Sequence, residues 1–247
     1  MLSDAPFAGR VVVVTGSSSG IGAATARVFG EIGASVLVNS ARSVDEGEAV
    51  AAALPDAIYV RGDITDPAVP GRLVAAALER WGRLDTLVNN AGTTAVIPHQ
   101  DVQAAGVDVW REIFEVNVFG TWAMTVAALP ALREAHGSVV NVSSVAGVRP
   151  TGSSIPYAAS KAALNHLTVL LGRVVGPEVR VNAVAPGLVD TPWTADWDVV
   201  RGVVQQMAPL KRSGQPDDVA QVIVSLAEAA YVTGQVVVVD GGLSLAM

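Results

Sequence analysis

The 247-residue sequence predicts an α/β fold, a doubly wound sheet of about seven parallel strands with helices on both faces. Three observations lead there. Short β-branched runs alternate with longer stretches of helical spacing along the whole chain, which is the signature of parallel strands joined by right-handed crossovers. Most of the strand runs are continuously apolar, as expected for strands covered on both faces. Composition agrees: 51% of residues are hydrophobic but only 5% aromatic, so the core is built from Val, Ala, Leu and Ile.

The strands are expected at 10–15, 35–39, 58–61, 84–89, 138–142, 180–184 and 235–239. The helices between them are expected at 21–32, 44–54, 69–81, 107–133, 157–174 and 216–229. No linker, repeat or low-complexity tract divides the chain, so residues 1–247 read as one domain. The uncharged stretch 116–132 contains Asn117, Gly120 and Pro130 and falls short of the ~20 apolar residues of a membrane span, so it reads as buried helix. Residues 1–10 carry Asp4 and Pro6 and no apolar run, unlike a secretory signal. A cytoplasmic protein is the expectation.

Charge and cysteine content exclude several classes. Charged residues make up 16%, which is too few for charge-driven disorder, and the net charge of −7 disfavours nonspecific nucleic-acid binding. With no cysteine there is neither a disulfide framework nor a thiolate metal site. His99, His136 and His166 show no paired metal-ligand spacing, so no metal is expected. His136 precedes Gly137 at an expected helix C-terminus, where a donor or cation is favoured.

The first strand runs into Gly16, Ser17, Ser18, Ser19, Gly20, Ile21 and Gly22, and then into helix. Backbone N–H groups at a helix N-terminus attract phosphate, and glycines permit the tight turn and close approach that a dinucleotide needs. The spacing is G-x-x-x-G-x-G. A plain strand-to-helix turn is the competing reading. After the second strand comes Asn39-Ser40-Ala41-Arg42-Ser43, with no acid to repel a 2′-phosphate. Ser40 and Arg42 therefore point to NADP(H) ahead of NAD(H), although Arg42 also reads as a solvated loop charge. Asp63 and Ile64, after the third strand, are candidates for the adenine edge, with Asp63 alternatively a helix cap.

From here the ordered motifs resemble the short-chain dehydrogenase/reductase superfamily, Rossmann-fold oxidoreductases, over nearly the whole chain. The motifs are Thr15-Gly16-x3-Gly20-Ile21-Gly22, Asn89-Asn90-Ala91-Gly92, Asn117, Ser144, Tyr157, Lys161, Pro186-Gly187 with Thr191, and Val239-Asp240-Gly241-Gly242. The resemblance implies a catalytic set of Asn117, Ser144, Tyr157 and Lys161. Tyr157 would be the acid/base, Lys161 would lower its pKa and hold the nicotinamide ribose, and Asn117 would anchor a water relay. Ser144 would orient the substrate oxygen, though Ser143 lies one position away. Tyr157 and Lys161, four residues apart, share a helix face. Cofactor contacts are implied at Asn90, Ala91, Gly92, Pro186, Gly187, Val189 and Thr191 as well as at the residues above.

Three features depart from the family pattern. Ser19 stands where many NADP-preferring relatives are basic, and Arg42 lies slightly late. Gly92 and Asn117 are also twenty-five positions apart, a long interval whose extra length falls in 95–106, with Pro98 and His99. Residues 191–210 match the family's substrate loop and bring Trp193 and Trp197, a lid for a partly apolar substrate with Trp193 in contact. The expected activity interconverts an alcohol and a carbonyl of a small molecule, with 3-oxoacyl-carrier-protein reduction a specialised option. A non-catalytic dinucleotide sensor or scaffold is the alternative. Relatives are commonly tetramers, so a homotetramer (or dimer) is expected, with 116–132 and 243–247 in subunit contact.

Overall fold

The computed structural model describes residues 6–246. The first five residues, including Asp4, and Met247 of the C-terminal segment lie outside the described residues.

Seven strands form one parallel sheet: β1 (Val11–Val14), β2 (Ser35–Ser40), β3 (Ala57–Arg61), β4 (Thr86–Asn89), β5 (Ser138–Val142), β6 (Arg180–Pro186) and β7 (Val236–Val239). Their order is β3-β2-β1-β4-β5-β6-β7, which places a topological switch between β1 and β4. Both neighbours of β1 run parallel to it, with Val12 level with Val36 on one side and Thr86 on the other. In such sheets ligands bind beyond the carboxyl ends of the strands at this switch.

Period-two alternation splits the core into two layers. Val11 and Val13 join Leu37, Leu87, Val139 and Val181 on one face. Val12 and Val14 join Val36, Val38, Val88, Val140 and Val184 on the other. The first face is covered by helices α3 (Val69–Trp81), α5 (Thr121–Glu134) and α6 (Ile155–Val174) through Leu73, Met124, Leu132 and Leu171. The second is covered by α1 (Gly20–Glu31), α2 (Val44–Ala52) and α8 (Pro216–Glu228) through Phe29, Ala51 and Ile223. Each fully buried valine contributes about 2 kcal/mol of transfer free energy, which explains why strands buried on both faces favour that residue.

Two expectations need correction. The helix expected over 107–133 is α4 (Val107–Phe114), a π-helical stretch (Glu115–Gly120) and then α5. The wide turn accommodates two close approaches. Asn117 is pulled onto the Thr93 backbone, and a Cβ at Gly120 would lie 2.9 Å from the Ile64 side chain. Such insertions concentrate at functional sites. The stretch Val107–Glu134 is also apolar and long enough to cross a membrane, yet Met124, Ala128 and Leu132 are buried in the sheet core, as the buried-helix reading requires. The second correction concerns 191–210, expected as a loop. It contains a 3-10 turn (Pro192–Thr194) and the helix α7 (Asp198–Met207).

Candidate active site

The turn after β1 is organised by polar side chains that are buried or half-buried. Asn90 donates to the carbonyls of Thr15 and Gly16 at 3.0 and 2.7 Å. The Thr15 hydroxyl accepts from the amides of Asn90 and Ala91, each at 3.1 Å. Asn39 ties the same turn to the end of β3, accepting from the Gly16 amide and donating to the carbonyls of Val60 and Gly62. Gly16 and Gly20 adopt φ of +61° and +54°. A Cβ on Gly22 would stand 2.4 Å from the Gly16 carbonyl oxygen. Ser19 begins α1 without a side-chain cap, which leaves the first-turn amides for an external acceptor. Thr15, the first residue of the motif, and Asn39, at the end of the second strand, hold this geometry although the sequence reading assigned neither a role; the sequence signal for Asn39 is polarity at the end of an apolar strand.

The cleft this turn opens onto has a volume of about 1270 Å3, above the ~300–1,000 Å3 of a single drug-sized ligand site. All the cofactor and substrate residues expected from the sequence line it, Arg42, Asp63, Thr191 and Trp193 included. Two of them are committed to protein partners. The Ser40 hydroxyl donates to the Ser43 carbonyl at 2.8 Å. Asp63 accepts from the amide and hydroxyl of Thr65 and so closes its own turn; α3 begins later, after Ala68. Beside Arg42, Arg61 donates to the Ala41 carbonyl at 3.3 Å. A glycine-lined cradle, free helix amides and the absence of a carboxylate at the end of β2 fit a dinucleotide at this end.

At the centre, Ser144 and Tyr157 face one another across the cleft. Ser144 leaves β5 extended and its hydroxyl accepts from the Ala146 amide at 3.1 Å. Ser143 points elsewhere, donating to the Lys161 carbonyl. Ser154 caps α6 by accepting from the Tyr157 amide, which fixes Tyr157 in the first turn. Burial pushes the Tyr157 phenol up from its ordinary value, and the Ser144 hydroxyl works in the other direction. Lys161 is buried, donates to the Val142 carbonyl at 2.9 Å, and is lowered by desolvation to about 8. The expected lowering of Tyr157 by Lys161 is not a feature of this structure.

Asn117 departs from expectation in a different way. It is fully buried and does not line the cleft. Its amide group donates to the Thr93 carbonyl and the Ser160 hydroxyl, each at 3.0 Å, and its oxygen accepts from the Thr93 amide. Both donor hydrogens are thereby used within the protein. Gly92 makes room for this set, since a Cβ there would be 3.3 Å from the Asn117 oxygen and 3.6 Å from Lys161 Nζ.

The outer wall comprises the lid and the segment 94–100. The Trp193 ring meets Tyr157 edge to face with centroids 6.4 Å apart. Opposite, the hydroxyls of Thr94 and Ser153 lie 2.6 Å apart, and the Ile97 amide donates to the Ser153 carbonyl. Thus the long 95–106 segment contributes Val96, Ile97, Pro98 and His99 to the cleft. Among the described residues no three His, Asp or Glu side chains group as metal ligands.

Comparison with known proteins bears on this arrangement. A sequence family described as enoyl-(acyl carrier protein) reductase matches residues 16–244. A Streptomyces violaceoruber protein named for a ketoacyl reductase of the granaticin polyketide synthase is 57% identical over 249 residues, 99% of this chain and 100% of the relative. The 3-oxoacyl-acyl-carrier-protein reductase of Thermotoga maritima is 38% identical over 95% of this chain and 98% of its own. Among solved structures, a short-chain dehydrogenase/reductase (glucose/ribitol dehydrogenase) from Brucella melitensis superposes with a TM-score of 0.91 at 32% identity, covering 98% and 99% of the two chains. The whole-chain match in sequence and in fold means that the protein belongs to the short-chain dehydrogenase/reductase family, NAD(P)(H)-using oxidoreductases of alcohol and ketone groups.

Proposed function

We propose that the protein reduces a ketone on a small, partly apolar substrate, reversibly, with NADP(H) preferred over NAD(H). The observation that carries this reading is the placement of Ser144 and Tyr157 in one cleft with a buried Lys161. When bound, the nicotinamide supplies the hydride. The Tyr157 hydroxyl gives its proton to the carbonyl oxygen as negative charge develops there, and Ser144 hydrogen-bonds the same oxygen. Burial keeps the phenol protonated before the transfer, and the Ser144 hydrogen bond opposes that upward push. Lys161 supplies positive charge behind the phenol and is the candidate partner of the ribose. Asn117 acts as a positioning residue through Thr93 and Ser160.

The NADP(H) preference rests on Arg42 in the cleft wall, on Arg61 held beside it, and on the lack of an acid at the end of β2. Both guanidiniums suit a phosphate. Trp193, edge-on to Tyr157, supports an apolar substrate contact. Reduction of a 3-oxoacyl thioester is the second reading, favoured by the names of the granaticin and Thermotoga relatives. Exposed Phe119, Trp122 and Val126 on and before α5, with Val169, Leu170 and Val174 on α6, support self-association as a tetramer or dimer.

A paired NADPH and NADH oxidation assay over ketones, 3-oxoacyl thioesters and sugars tests the proposal. Turnover of ketones with NADPH is expected, and Arg42→Ala should narrow the preference. Strong preference for NADH overturns the reading of Arg42, and unchanged activity of Trp193→Ala across the ketones removes Trp193 from the substrate site. Light scattering at micromolar concentration reads the assembly.

A further inference from the structure

We propose that the protein binds a small, doubly charged oxyanion, inorganic phosphate or sulfate, in a second cavity at the amino ends of the strands, on the edge of the sheet opposite the cleft. The ion ties strand starts together and so serves stability rather than turnover.

The topology builds this site. Parallel strands bring their amino ends to one edge, and β1, β4, β5 and β6 are successive neighbours in the sheet. Arg10 immediately precedes β1, Arg83 lies shortly before β4, and Arg180 is the first residue of β6. The three therefore gather, with Asp85 and with His136 from the turn before β5, around a cavity of about 170 Å3. That is below the ~300 Å3 of a small organic ligand site, yet it has room for an ion and a few waters.

The charges around the cavity do not balance. Asp85 is the one carboxylate among its described lining residues, and it is already engaged. Its two oxygens accept from Arg83 at 2.8 and 2.6 Å, and one of them also accepts from the Val11 amide at 2.9 Å. Neither Arg10 nor Arg180 pairs with a carboxylate among the described residues. Three guanidiniums against one carboxylate leave an excess of two positive charges. Arg180 is half-buried, and its burial, with the nearby Arg10, pushes it below its ordinary pKa. Like charges confined together in this way attract a counterion.

Donors remain to receive it. Arg180 gives three N–H groups to the carbonyls of Leu226, Ala227 and Ala229 at the end of α8. Those bonds fix its guanidinium and leave two of its five N–H groups. Arg83 keeps three beyond those bound to Asp85. The exposed Arg10 side chain makes no hydrogen bond to a described residue, and its guanidinium lies 5.0 Å from the centre of the Phe7 ring. Guanidinium forks match the edges of an oxyanion, and a dianion cancels the excess charge.

Thermal unfolding at constant ionic strength, with phosphate replacing chloride, tests this. Phosphate should raise Tm saturably, by about 3–5 °C at a tenfold excess over its dissociation constant, and sulfate should act likewise. By calorimetry, Arg10→Gln should weaken phosphate binding about fivefold or more, Arg10→Lys should weaken it less, and Arg42→Gln, in the cleft, should leave it unchanged. Glucose 6-phosphate, too large for the cavity, should bind more weakly than phosphate. Phosphate binding unmoved in Arg10→Gln overturns the proposal, because the ion would then sit elsewhere, as at the turn after β1. Stabilisation no greater than that given by chloride overturns it as well, and glucose 6-phosphate bound as tightly as phosphate overturns the assignment to a free ion.

Discussion

Lys161 directs its ammonium at the Val142 carbonyl, 2.9 Å away, while its Nζ stands 5.8 Å from the centre of the Tyr157 ring. The two residues share a helix face, as their spacing requires, yet the phenol is governed by its burial and by Ser144. Lys161 bears a desolvation penalty with a single carbonyl to offset it, and this has a measurable consequence.

The pKa of Lys161 falls from 10.5 to about 8 on folding. Between those values the unfolded chain binds more protons than the folded one, so stability rises with pH through that window. Tyr157 acts in the opposite sense, because its folded pKa lies above 10.0, so stability falls as pH rises above that value. The interval from pH 8 to 10 therefore belongs to Lys161. Urea unfolding of the wild type against Lys161→Met should show the wild type gaining ~2–3 kcal/mol relative to the variant across it. Parallel curves would place the Lys161 pKa at its ordinary value.

Tyr157 and Ser144 should each prove necessary for turnover. Tyr157→Phe removes the proton donor and should lower kcat for ketone reduction by about 10²–10⁴-fold. Ser144→Ala removes a hydrogen bond to the developing oxyanion and should cost about 10²–10³-fold. Nucleotide binding, followed by fluorescence, shows whether either loss comes from the cofactor end. Retention of a tenth of the activity in Tyr157→Phe would assign the proton to another group.

The fold and the cleft were legible in the sequence for different reasons. Val11–Val14 reads as strand because a four-valine run suits a position buried on both faces, and the glycines after it read as a phosphate turn because close approach excludes a side chain. The π stretch around Asn117 was not legible. It depends on Thr93 and Ile64, which are distant in sequence and meet the helix only in the fold. Helix α7 was hidden because Trp193, Trp197 and the valines after them carry an apolar pattern that suits a lid loop and a short amphipathic helix equally.

His136 adopts φ +49°, and two bonds close the end of α5: its own amide to the Arg133 carbonyl and the Gly137 amide to the Leu132 carbonyl. This is a Schellman ending in which glycine normally holds the left-handed position. Here the glycine is one residue later because a Cβ at Gly137 would lie 2.4 Å from the Asp85 carbonyl oxygen. His136→Gly should therefore stabilise the protein by ~1 kcal/mol, raising Tm by ~2–4 °C. Gly137→Ala should lower Tm. A fall in Tm for His136→Gly would mean that the imidazole contributes more than its backbone strain costs.

Arg201 fastens the lid to the end of β6. It donates to Asp190 at 2.9 Å and to the Thr194 carbonyl at 3.0 Å, and it also pairs with Asp198. Asp190 is itself fixed by Ser213 and Gln215, at 2.8 and 2.9 Å. These contacts join α7 to the strand end that carries Pro186 and Gly187, and none involves Tyr157 or Ser144. Releasing them should weaken substrate binding more than chemistry. Arg201→Ala is expected to raise KM for a ketone about tenfold, with kcat within about threefold of wild type. Because Arg201 holds the Asp190 carboxyl below its ordinary value, the clamp stays ionised as pH falls through the usual carboxylate range, so the KM difference should persist in mildly acidic assays. An equal loss in kcat at unchanged KM would instead place the clamp in control of the reacting geometry, because only an interaction gained in the transition state lowers kcat alone.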